Sequence, residues 1–125
     1  MTIKYSLAVA LLAVLLASCA QMRELRGNVA GNEYLDCLNS AADEYMSSPT
    51  GADQIATAAH ARCWSEWSAY RERIAHEYTV RARSPEELQL GRDKADAYLR
   101  QFEADARKAV MTRVVQRTYG VEPAR

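Results

Sequence analysis

The chain has 125 residues, with 16 basic and 16 acidic side chains, two histidines and three cysteines. This charge balance excludes the basic field that nucleic-acid binding requires, and the length bounds the chain to one domain around one core. There is no block of like charge and no Gly- or Ser-rich tract. From the start, Lys4 precedes an apolar run from Leu7 to Ala17. Such a run makes only ~16 Å of helix, about half a bilayer core, so it reads as the apolar part of an export signal and not as a membrane span. It stops at Leu16-Ala17-Ser18-Cys19.

That tetrapeptide resembles the lipobox of bacterial lipoproteins: a branched apolar residue, two small residues, then cysteine. The resemblance implies that the Cys19 thiol receives a diacylglycerol, that cleavage falls between Ser18 and Cys19, and that the new amine is acylated. Several acyl chains hold a soluble domain firmly where one would be marginal. In lipoproteins of this kind an aspartate after the cysteine favours the inner membrane, so Ala20 implies the outer membrane, with the domain on the periplasmic face. Residues 1–18 are then the signal peptide and 19–30 the lipidated terminus with a short polar tether. About ten residues of tether reach ~35 Å at most. Residues 31–120 are the helical domain and 121–125 a C-terminal tail.

The processed chain carries about one negative charge, because Lys4 is the sole charged side chain of the signal. Alanine, arginine and glutamate are abundant, and no run alternates apolar and polar residues as a strand would. The fold class is therefore all-α, and the spacing predicts three helices. The first covers about 31–46, with an apolar face of Tyr34, Leu35, Leu38, Ala41, Ala42 and Tyr45, and Cys37 at its edge; Ser47-Ser48-Pro49 ends it. Thr50 with Asp53 resembles a capping box and opens a second helix running unbroken to about Val80. Its stripe is Ile55, Ala59, Cys63, Trp67, Tyr70, Ile74 and Tyr78, with Ala56, Trp64 and Arg71 beside it. The third has the clearest start, with Ser84 as N-cap, Pro85 at the first helical position, and Glu86 and Glu87 in the first turn. It extends to about Thr118, with Gly120 as C-cap. Leu88, Ala95, Leu99, Phe102, Ala106, Ala109, Val110 and Val114 form its buried stripe. Asp96–Arg100 and Glu103–Arg107 are spaced for ion pairs, and Gly91 marks a bend or a close contact.

With Cys19 spent on lipid, Cys37 and Cys63 remain, an even pair that forms a disulfide in an oxidising compartment. A hairpin turning near residue 50 tests this pairing. Residues at one height have numbers summing to about 100, which matches Cys37 with Cys63, Ala41 with Ala59 and Tyr45 with Ile55, while Tyr34 with Trp67 is one off. The two alanines let the backbones approach, as a disulfide requires. The expected architecture is an antiparallel hairpin pinned by this bridge plus a long third helix, a three-helix bundle. The motif Tyr34-Leu35-Asp36-Cys37, with Ala56 to Cys63, resembles small exported bacterial proteins of unknown function. That resemblance implies a hairpin scaffold and no activity. A redox switch, or a metal site of the cysteines with His60, are the alternatives for the pair; zinc needs thiolates, which an oxidising envelope removes.

Catalytic motifs fail one by one. His76-Glu77 begins a zinc-protease helix, but Val80 stands where the second histidine belongs. Ser65 and Ser68 have no evident base, and there is no nucleophile elbow or phosphate-binding glycine loop. No enzyme activity, cofactor or metal is expected. Trp64 and Trp67, three apart, do not face one partner. Both fit the core, on the seams to helices one and three; one left exposed anchors a protein partner or a glycan. If helix three outruns helix one, Val110, Met111, Val114 and Val115 lack cover and invite a partner or self-association. The expectation is a membrane-anchored envelope lipoprotein whose domain binds or supports a protein partner. The alternative is a small-ligand or glycan-binding module using Trp64, Trp67, Tyr70 and Arg71.

Overall fold

The structure is a computed structural model that describes residues 29–120. The signal peptide, Cys19, nearly all of the tether and the tail at 121–125 lie outside the described residues. Four helices, and no strand, occur among the described residues: α1 through 29–45, α2 Ala52–Arg62, α3 Trp64–Thr79 and α4 Pro85–Tyr119. Residues 29 and 30 are already helical, two residues ahead of the expected start, within the usual scatter of helix boundaries. No described helix is long and apolar enough to cross a membrane.

The all-α class and the disulfide-pinned hairpin hold, but the count of three helices is corrected to four. The expected second helix is two helices, broken at Cys63, whose backbone (φ −95°, ψ 25°) leaves the helical region. Its amide donates to the carbonyls of Ala59 and His60, and its own carbonyl accepts from Trp67, so both backbone groups of Cys63 stay paired at the turn. Neither proline nor glycine marks the site. The residue out of helical geometry is the one bonded to α1. Its Cα lies 5.9 Å from that of Cys37.

The start of α2 is a second correction. Gly51 occupies the N-cap with no side-chain cap, while the Thr50 amide is turned back to Ser48. Asp53 serves a tertiary contact instead, accepting from Arg107. By contrast α4 begins as its sequence dictates: Ser84 Oγ accepts from the Glu87 amide (3.1 Å), and Glu87 accepts from the Arg83 amide (2.7 Å). It ends at Gly120, the C-cap, in the left-handed region (φ 65°) that glycine adopts without steric cost.

The helices meet along the expected stripes. Tyr34, Leu38, Ala41 and Ala42 of α1 pack on Ile55, Ala56 and Ala59 of α2, and on Trp67, Tyr70 and Ile74 of α3; Ala95, Leu99, Ala106, Val110 and Val114 of α4 close the core. Tyr78 departs from its stripe and is partly exposed, at 41%, and Ala109 in α4 is also exposed. Residue numbers fall on α2–α3 as they rise on α1, through Tyr34–Trp67 and Cys37–Cys63. On α4 they rise together, through Tyr34–Phe102 and Asp43–Arg113. Thus α1 and α4 run parallel. At about 50 Å, α4 is the spine of the domain.

Candidate functional site: a polar cleft and the outer side of α4

Two concave regions stand out among the described residues. The first is a cleft of about 400 Å³ where the α2–α3 break faces α4, lined by His60, Trp64, Trp67, Arg71, Asp96, Leu99, Arg100 and Glu103. The break positions its two sides. His60 stands in the last turn of α2 and Trp64 opens α3, with their rings 6.1 Å apart and nearly perpendicular. Trp67 is 4% exposed and forms the floor with Leu99, whereas Trp64 is 53% exposed at the rim. Of the core seats expected for the two tryptophans, Trp67 takes one and Trp64 does not. Tyr70 is buried and bonded to the Tyr98 hydroxyl (2.9 Å). Burial, followed by that bond, raises its pKa well above the ordinary tyrosine value. The Trp64/Trp67/Tyr70 trio therefore does not form one aromatic pocket.

The cleft holds a convergence that sequence reasoning missed. The Tyr34 hydroxyl lies 2.7 Å from His60 Nδ1, and His60 Nε2 lies 3.5 Å from a Glu103 carboxylate oxygen. Burial first, and the charge of Glu103 second, raise the Tyr34 pKa above its ordinary value, so its hydroxyl keeps the proton. One assignment gives the short contact its hydrogen, with Tyr34 donating to Nδ1, so the tyrosine fixes the ring. Tyr34, His60 and Glu103 share only one legible trait: each sits on or beside an apolar stripe, where a helix seam runs.

The pairs expected along α4 do not form. Glu103 turns to His60, and Arg107 reaches across to Asp53 and to Thr57 Oγ1 (2.8 Å). Asp96 and Arg100 are not within bonding distance of each other. For Glu103 and Arg107, interhelical partners thus replace a local pair worth a few tenths of a kcal/mol. Further along, Arg113 grips Asp43 with two hydrogen bonds (3.0 and 2.9 Å), and Arg117 adds a contact at 3.2 Å.

These contacts fasten the distal part of α4 to α1 and α2, which corrects the expectation of an uncovered end. Val110 and Val114 are buried, Met111 is partly buried, and Val115 is 44% exposed. The second concave region lies along the outer side of this stretch. It is a groove of about 510 Å³, lined among the described residues by Ala104, Arg107, Lys108, Met111, Thr112, Val115 and Gln116, and its surface is almost wholly apolar.

Cys37 and Cys63 are bonded to each other, and Glu66 places an oxygen within 4.8 Å of both sulfurs. A disulfide offers no thiolate to a metal, so this cluster has the spacing of a metal site without its chemistry. His76 and Glu77 stay exposed on α3. Comparison with protein-family models, curated proteins and solved structures finds no match.

Proposed function

We propose that this chain is a lipid-anchored protein of the bacterial cell envelope, held at the outer membrane through Cys19. Its helical domain binds a protein partner along the outer side of α4 and does not catalyse a reaction. The observation that carries the partner reading is the apolar groove between Ala104 and Gln116, with Met111 and Val115 in its surface. Its charged side chains are Arg107 and Lys108, both cationic. The occupant that fits is an amphipathic segment of another envelope protein, its apolar side seated on Met111 and Val115 and an acidic residue set against Lys108.

The anchor reading rests on the lipobox and on the geometry of entry. Gly31 packs against the Tyr70 ring, which bonds to Tyr98, so α1 enters level with residue 98 of α4. Residue 111 stands ~20 Å further along α4, away from the tether.

Two experiments test the reading. Replacement of Cys19 by serine is expected to abolish lipid labelling and release the domain from the membrane fraction; unchanged processing and fractionation would overturn the anchor. A photo-crosslinking residue at 115, in intact cells, is expected to trap one discrete heterologous adduct that is lost in Lys108→Glu and absent with the crosslinker at 101. An adduct of twice the chain's mass would instead identify self-association and overturn the heterologous partner.

A further inference from the structure

We propose that the cleft between the α2–α3 break and α4 is a saccharide-binding site, taking an uncharged pyranose oligosaccharide against the exposed face of Trp64. At about 400 Å³, the cleft lies within the range of small-ligand sites, ~300–1,000 Å³. It is separate from the α4 groove, and the inference depends on neither the anchor nor the protein partner.

Three features select the ligand class. The first is the aromatic rim. Trp64 is the one tryptophan the fold leaves out of the core, at 53% exposure. An indole face carries a negative quadrupole and attracts the slightly positive C–H edges of a pyranose ring. The second is the pairing of donors with acceptors. Arg71 and Arg100 bring two guanidinium groups, and Asp96 and Glu103 bring two carboxylates. Among the described residues, Arg71, Arg100 and Asp96 have no salt bridge or side-chain hydrogen bond. They are free to bond hydroxyls, which donate and accept at once. The third is net charge. Two cations and two anions cancel, so a phosphate or carboxylate ligand gains nothing from the overall field, and an apolar ligand would leave these four groups without partners. The Tyr34 hydroxyl adds preorganisation by holding the His60 ring in the wall of the cleft, and a fixed group loses less freedom on binding.

The test uses the full chain in a non-glycosidic detergent, titrated separately with cellotetraose, maltotetraose and tetra-N-acetylchitotetraose. Inorganic phosphate and glucuronic acid serve as anionic probes. The readout is the indole N–H resonances of Trp64 and Trp67. At least one neutral tetrasaccharide is expected to bind saturably and shift the Trp64 signal more than that of Trp67. Trp64→Ala should weaken this binding about tenfold or more, and Trp64→Phe by less, because an aromatic face remains. Arg100→Ala should weaken it as well; like Trp64, Arg100 is exposed, so both variants are expected to melt close to the parent. Three results overturn the proposal: no neutral saccharide moves the Trp64 signal at millimolar concentration; saccharide affinity is unchanged in Trp64→Ala; or phosphate and glucuronic acid bind while the neutral sugars do not.

Discussion

Gly91 of α4 lies so close to Tyr78 of α3 that a Cβ added to it would stand 2.5 Å from the Tyr78 carbonyl oxygen and 3.3 Å from Thr79 Cγ2. The obstacle is backbone, which cannot rotate aside. Alanine is the better helix former by about 1 kcal/mol, so propensity alone would make Gly91→Ala stabilising. The contact reverses the sign. The substitution should force α3 and α4 apart and cost about 1–3 kcal/mol, as overpacking does. Urea denaturation of Gly91→Ala checks it, and an unchanged or raised midpoint would show that the helices separate freely.

The Cys37–Cys63 bond joins residues 26 positions apart in the sequence. On the chain-entropy model such a link stabilises by about 3.5 kcal/mol, a large part of what a domain of this size possesses. Replacing both cysteines by alanine should lower the denaturation midpoint accordingly. Reduction of the native chain should do the same, while added reductant should leave the double variant unmoved.

Asp43 sets the expected acid response. Hydrogen bonds from Arg113 lead in holding its carboxyl below the usual carboxylate range; burial opposes them, and the charges of Arg113 and Arg117 add to the lowering. Because the folded state lowers this pKa, the contribution is complete above the unfolded value of about 3.9. It is lost as pH falls through the folded value. Both partners are about one-third solvent-exposed (39% for Arg113, 35% for Asp43), so the contribution is discounted to about 1 kcal/mol. Asp43→Asn should cost that amount at neutral pH, and the gap from the parent should narrow as melts are repeated at pH values progressively below the usual carboxylate range.

The two tryptophans should respond in opposite ways. Trp67 is buried against Tyr34 (5.0 Å between ring centroids), Tyr70 and Phe102, so Trp67→Ala should cost about 3–5 kcal/mol. Trp64→Ala removes an exposed rim residue and should change stability by no more than about 0.5 kcal/mol. Thermal melts of the two variants decide this, and equal losses would place Trp64 in the core.

What could be read from the sequence is what local chemistry determines. Ser84-Pro85 and Gly120 bound α4 where caps require, and the sum rule about residue 50 pairs Cys37 with Cys63. Tertiary competition hid the rest. Asp53 was legible as a capping residue, but Arg107 claims it. Glu103 was legible as a helical ion-pair partner, but His60 claims it. The break at Cys63 has no glycine or proline to announce it. The cleft could not be read because its sides come from helix ends that exist only once that break is made. Val110 and Val114 looked uncovered because helix lengths alone do not show that Asp43 draws Arg113 and Arg117 toward α1.

Cys63 is both the non-helical residue between α2 and α3 and the residue tied to α1. One covalent bond thus acts as the pivot for two arms, and His60 and Trp64 stand on opposite sides of it. Three helices, α1, α2 and α3, therefore meet at a single covalent point, three residues from His60 and next to Trp64 in the chain.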